Sequence, residues 1–199
     1  MSDTVPSWLK PRLGDPRPGH GGLAIARLGG EQTFGRGGFA LSSPAFGPGQ
    51  PLDPSFTADE EDAVAPPLEW PAPPPGSQEL VLVVEDADNA APRPFAHWTV
   101  WGLSPQKGKL LEGEIPPRVG KNAHGNSEWL LPEVAAGDPA HEYVFQLFAL
   151  DLPLTLMPGA SREDLFAAMD GHVTACTLTT ATYAGPEEDE GADWDDEEI

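Results

Sequence analysis

Residues 79–88 read ELVLVVEDAD: Glu79-Leu80-Val81-Leu82-Val83-Val84-Glu85-Asp86-Ala87-Asp88. Five consecutive aliphatic side chains leave no polar face, so the run reads as a central strand buried on both sides. Where it ends, Asp86 and Asp88 bring two carboxylates to the edge of a hydrophobic interior. Residues 142–151 (EYVFQLFALD) form a second such run, with Tyr143, Phe145, Leu147 and Ala149 on one face and Val144, Phe148 and Leu150 on the other. His97 to Leu103 (HWTVWGL) and the threonine-rich stretch from Val173 to Tyr183 read as further strands. One helix is signalled: Ser161 and Asp164 make a capping-box-like start, Leu165, Phe166 and Met169 an apolar stripe, and Gly171 a left-handed stop. The fold class is therefore mostly β, with one or two short helices.

Outward from these runs the chain is punctuated by 22 glycines and 24 prolines, which argues for a loop-rich β protein. Residues 1–38 carry much of this punctuation and read as a Pro/Gly-rich arm, with at most one short strand near Gly22 to Leu28. Residues 66–76 are so rich in proline that they must be loop or edge strand. The single Cys176 cannot form an internal disulfide and sits in an apolar strand, as a core thiol would. A formal net charge of −21 disfavours nucleic acid and anionic membrane surfaces as partners. Nine of the negative charges lie between Glu187 and Glu198, so residues 186–199 read as an acidic, disordered, solvating tail. No stretch has the length and apolarity of a signal peptide or membrane span, which places the expected location in the cytoplasm.

Asp86, Asp88, His97 and His141 each sit in or beside a run that otherwise reads as buried strand. Two carboxylates and two imidazoles cannot be buried together cheaply unless something polar lies between them, so they mark a candidate pocket. Taken singly, each has a plainer role: strand-end aspartates often close turns, and a lone buried histidine is most often satisfied by its neighbours.

Several ordered motifs add to this reading. Ser43-Pro44-Ala45-Phe46, Pro66-Pro67-Leu68-Glu69-Trp70, Glu85-Asp86-Ala87-Asp88, Phe95-Ala96-His97-Trp98, Gly120-Lys121-Asn122 with Gly125, His141-Glu142-Tyr143-Val144-Phe145 and Met169-Asp170-Gly171-His172-Val173 follow one another. Together they resemble the phosphatidylethanolamine-binding (Raf kinase inhibitor-like) family, closest to its bacterial and archaeal branch, over a domain of residues 39–185. The resemblance implies two antiparallel β-sheets and a small anion-binding pocket that accepts phosphate, acetate or a phosphoethanolamine head group. Its lining would come from Asp86, Asp88, His97, His141 and Tyr143, with Trp98 packed behind and Pro132 on the wall. The two imidazoles would donate to the anion while an aspartate fixes a tautomer or holds a charge. Backbone N–H groups of residues 130–137 would add donors. The chain departs from the family pattern at Leu130, Leu131, Val134 and Ala135, which stand where glycines and paired prolines are usual, so a narrower or reshaped wall is expected. Arg93-Pro94 falls where the family has a strained turn and is a candidate cis bond.

Three functions follow in order of weight. The first is a small-anion binding protein with a regulatory role, no catalysis, no cofactor and no metal. The second is a protein-interaction module that inhibits a kinase or protease, with pairing into a homodimer implied by the resemblance. The third is a metal-dependent hydrolase built on the Asp/His set, since those are ligand types that could activate water.

Overall fold

The computed structural model describes residues 4–89 and 92–187, so most of the acidic tail lies outside the described residues. In chain order the elements are α1 (Ala24–Leu28), β1 (Gln50–Pro51), β2 (Leu68–Trp70), β3 (Glu79–Asp86), β4 (Phe95–Leu103), β5 (Gly108–Leu110), β6 (His141–Leu150), α2 (Arg162–Met169) and β7 (Val173–Tyr183). Five strands form one sheet in the order β1-β7-β6-β3-β4, and β2 pairs with β5 in a second. Every pairing is antiparallel except the short β1, which lies parallel to β7. Both predominantly apolar strands, β3 and β6, lie inside the large sheet, where each face needs a cover.

The two faces bury different partners. On one, Leu80, Leu82, Val84, Trp98, Phe145 and Leu147 meet Leu68 and Trp70 of the small sheet together with Phe46. On the other, Val81, Val83, Val144 and Phe148 meet Leu9, Leu23 and Ile25 of the N-terminal segment and Leu165, Phe166 and Met169 of α2. Complete burial of one such side chain stabilises by about 1.5–3 kcal/mol, so neither face can be left to water. The helix forms as its sequence signals: Ser161 Oγ accepts from the Asp164 N–H at 3.1 Å, and Gly171 takes φ 75° just beyond the end.

The N-terminal segment departs from its sequence reading. Residues 24–28 are a helical turn rather than a strand, and its backbone donors are satisfied from a distance. Ala24 N–H donates to Glu85 Oε2 at 2.8 Å and Ile25 N–H to Gln146 Oε1 at 2.7 Å, both from the sheet beneath. Arg162 of α2 completes the set, donating from Nε to Glu85 Oε1 at 2.6 Å and from Nη2 to the Gly22 carbonyl at 2.9 Å. A short turn lacking local caps is held by these buried partners, which no local pattern announces. The proline-rich stretch supplies β2, an edge strand. Among the described residues there is no cis peptide, so Arg93-Pro94 is trans. No helix among them is long and apolar enough to cross a membrane.

Candidate functional site

The cavity lies at one end of the large sheet, where three strand termini converge. Asp86 closes β3 directly opposite Tyr143 of β6 and Phe95 of β4. His141 opens β6 two residues before Tyr143, which puts both on the face shared with Asp86. His97 reaches the same space through a β-bulge. Val84 pairs with Trp98 and Glu85 with Ala96, so His97 is the extra residue of β4 and the alternation of that strand breaks there. Strict alternation would send His97 and Trp98 to opposite faces; with the bulge, both line one cavity of about 1100 Å³.

Hydrogen bonds hold the polar groups in place. Asp86 Oδ2 accepts from His141 Nδ1 at 2.6 Å, while Asp86 Oδ1 accepts from the Asp88 N–H at 2.7 Å. The Asp86 side chain is buried, whereas 19% of the His141 side chain is exposed, so the imidazole is the partner a ligand reaches. His97 Nδ1 lies 2.7 Å from the Leu130 carbonyl, which can only accept, so this nitrogen carries the proton. Burial pushes the His97 pKa down, more than the Leu130 carbonyl and Asp86 raise it, and the ring is neutral near pH 7. Its Nε2 is then a lone-pair acceptor. Burial, and secondarily the Asp86 charge, pushes the Tyr143 pKa up, so its hydroxyl stays protonated and can donate.

Of the residues read from sequence, Asp86, His97, Trp98, His141 and Tyr143 line the cavity, whereas Asp88 and Pro132 do not. Residues two apart share a face only while a strand continues, and β3 stops at Asp86. The turn sends the Asp88 carboxylate away from the cavity, to Arg17 Nη2 at 2.8 Å and the Glu142 N–H at 2.8 Å. Pro132 contributes its carbonyl to the Ala58 N–H at 2.9 Å instead. Among the described residues no three His, Cys, Asp or Glu side chains gather as metal ligands.

Other contributors carried no local signal. His124 lines the cavity from a loop and meets Phe95 edge-on at 5.6 Å. That loop is drawn in at Gly120, where an added Cβ would collide with Thr99 Oγ1 and the Ala160 carbonyl. Buried Asn122 then ties the loop through its amide to the Glu128 carbonyl at 3.1 Å. Trp129 stacks on Phe145 with ring centroids 6.1 Å apart and forms part of the wall. Leu130, Leu131, Val134 and Ala135, the departures from the family pattern, also line the cavity, which is nonetheless wider than a phosphate needs. The Leu130 N–H is occupied by the His97 carbonyl at 2.9 Å, so it is not a ligand donor.

Behind the sheet lies a second polar group that the sequence did not disclose. His20 is fully buried, and its Nδ1 accepts from the Arg17 N–H at 3.0 Å. Its Nε2 stands 3.7 Å from Glu142 Oε1, too far for a hydrogen bond. Burial lowers the His20 pKa and raises that of Glu142, so each is driven toward its neutral form.

Comparison with known proteins agrees with the sequence motifs and this architecture. The family model for phosphatidylethanolamine-binding protein matches residues 42–184. A UPF0098 protein of Chlamydia trachomatis is 34% identical over 149 residues, covering 72% of this chain and 97% of the relative. LppC of Mycobacterium tuberculosis, named as a lipoprotein, is 37% identical over 147 residues, covering 73% of this chain and 72% of its own. Among solved structures, the phosphatidylethanolamine-binding protein homologue CT736 of Chlamydia trachomatis superposes with a TM-score of 0.68 at 33% identity, over 74% of this chain and 98% of that one. YbcL of Escherichia coli shares the fold at a TM-score of 0.68 and 20% identity, over 74% and 99% of the two chains. With the motifs, the sheet order and these matches in agreement, the chain belongs to the phosphatidylethanolamine-binding protein family.

Proposed function

We propose that the chain binds a small phosphorylated or carboxylated anion in this cavity and acts through that binding, in a regulatory role and without catalysis. The observation that carries the reading is the convergence of Asp86, His97, His141 and Tyr143 on one space from the ends of three strands, β3, β4 and β6. Asp86 orients His141 as a buried carboxylate orients an imidazole in many ligand sites, which readies Nε2 for a guest. The Tyr143 hydroxyl supplies an uncharged donor, and Trp98 and Trp129, in edge-to-face contact, form an aromatic part of the wall. These groups are arranged to hold rather than to attack: the hydroxyl is a poor nucleophile with its proton retained, and His97 is tied to a backbone carbonyl.

Isothermal titration of the intact protein with inorganic phosphate and with phosphoethanolamine tests this. Saturable heat that His141→Ala weakens by about tenfold or more is the expected result. Equal heats for the two proteins would remove the pocket assignment.

A further inference from the structure

Both imidazoles of the cavity spend the same nitrogen on the protein. His97 Nδ1 donates to the Leu130 carbonyl and His141 Nδ1 to Asp86, so what remains for a guest is Nε2 in each ring. Among the described residues the His97 ring makes its one hydrogen bond through Nδ1, and the ring lines the cavity. With Nδ1 protonated, His97 Nε2 is an acceptor, and His141 Nε2 is another whenever its ring is neutral. The remaining lining sharpens the imbalance. Asp86, Glu114, Glu128 and Glu133 contribute carboxylates, and no lysine or arginine lines the cavity among the described residues. The groups packed around His97 are Asp86 from β3, His141 and Tyr143 from β6, and His124 from the loop. Tyr143 is the one among them whose hydroxyl donates in every state considered.

Resting on the anion reading above, we infer that the pocket selects an oxyanion bearing its own acidic proton, such as a hydrogen phosphate or phosphomonoester. Sulfate and phosphodiesters, which lack that proton, are disfavoured. A guest O–H directed at His97 Nε2 turns an acceptor–acceptor contact into a hydrogen bond. A fully deprotonated guest leaves the two lone pairs opposed and adds charge beside the Asp86 carboxylate. Sites built to hydrogen-bond a ligand hydroxyl reject analogues lacking it far more strongly than sites that merely lose a contact. The sequence-based expectation that both imidazoles donate is thereby revised for His97.

Isothermal titration of the intact protein with methyl phosphate and dimethyl phosphate separates the possibilities. At about pH 6 roughly half of a phosphomonoester still carries its proton. The two probes then present similar charge but differ in the acidic O–H. Methyl phosphate is expected to bind about tenfold or more tightly than dimethyl phosphate, with phosphate over sulfate in the same direction. Affinities equal within about twofold would overturn proton selection and leave anion binding standing. No heat from any of the four probes would overturn both.

Discussion

At Asp86 the two carboxylate oxygens serve different ends: one accepts the Asp88 N–H that closes the turn, the other holds His141. Simple electrostatics says that removing this charge should help an anion bind, whereas its orienting role says the opposite. We expect Asp86→Ala to weaken phosphate binding about tenfold, measured by calorimetry, because a freed imidazole loses its tautomer and direction. Unchanged or tighter binding would reduce Asp86 to a repelling charge. Asp86, His97 and His141 were legible in the sequence because polar groups stood inside apolar runs, a conflict that a cavity resolves, whereas Tyr143 was expected there only through the family resemblance. His124 and Trp129 were not, since their place in the wall follows from the closeness of Gly120 to β4 and not from their neighbours in sequence. Asp88 was misplaced for a related reason: where a strand ends decides which way the next side chains go.

Strands and the capped helix follow their periodicity, and β3, β6, β7 and α2 fall within a few residues of the expected runs. The bulge in β4 does not, because it is a register choice made between two strands. The turn at residues 24–28 likewise depends on partners far away in sequence. Glu85 is completely buried beneath it and is balanced by Arg162 from α2. Arg162→Met should therefore cost about 3–5 kcal/mol by leaving a buried carboxylate unpaired, read from urea unfolding. The double variant Glu85→Gln with Arg162→Met should recover much of that loss, since the uncompensated charge is gone while an acceptor for the Ala24 N–H remains. A double variant as unstable as the single one would show that packing of the Arg162 side chain, not charge balance, is what matters.

As a whole the molecule is one sheet between two cores, and its second core uses a segment that lies before the family match begins at residue 42. This arrangement buries two neutral histidines, His20 behind the sheet and His97 in the cavity, both with pKa values depressed by burial below 6.5. In the window below about 6.5 the unfolded chain binds these protons and the folded one does not, so stability is full above it and is lost as pH falls. Glu142 acts in the opposite sense: its raised pKa makes its contribution greatest below 4.5 and smaller as pH rises through the folded value. Unfolding free energy from urea titration should accordingly drop between about pH 7.5 and 5.5, and His20→Asn, which keeps an acceptor for the Arg17 N–H, should flatten the slope. A slope identical in the variant would mean that His20 titrates alike in both states. What the sequence alone determined is the strand-rich class, the central runs, the capped helix and the polar residues at strand ends, because periodicity and burial cost are local properties of the chain. Only the tertiary structure decided which face Asp88 takes, that His97 offers an acceptor, and that the N-terminal segment closes the second core. Each of these depends on a hydrogen-bond partner many residues away, and no local pattern can specify which carbonyl or carboxylate the fold will bring there.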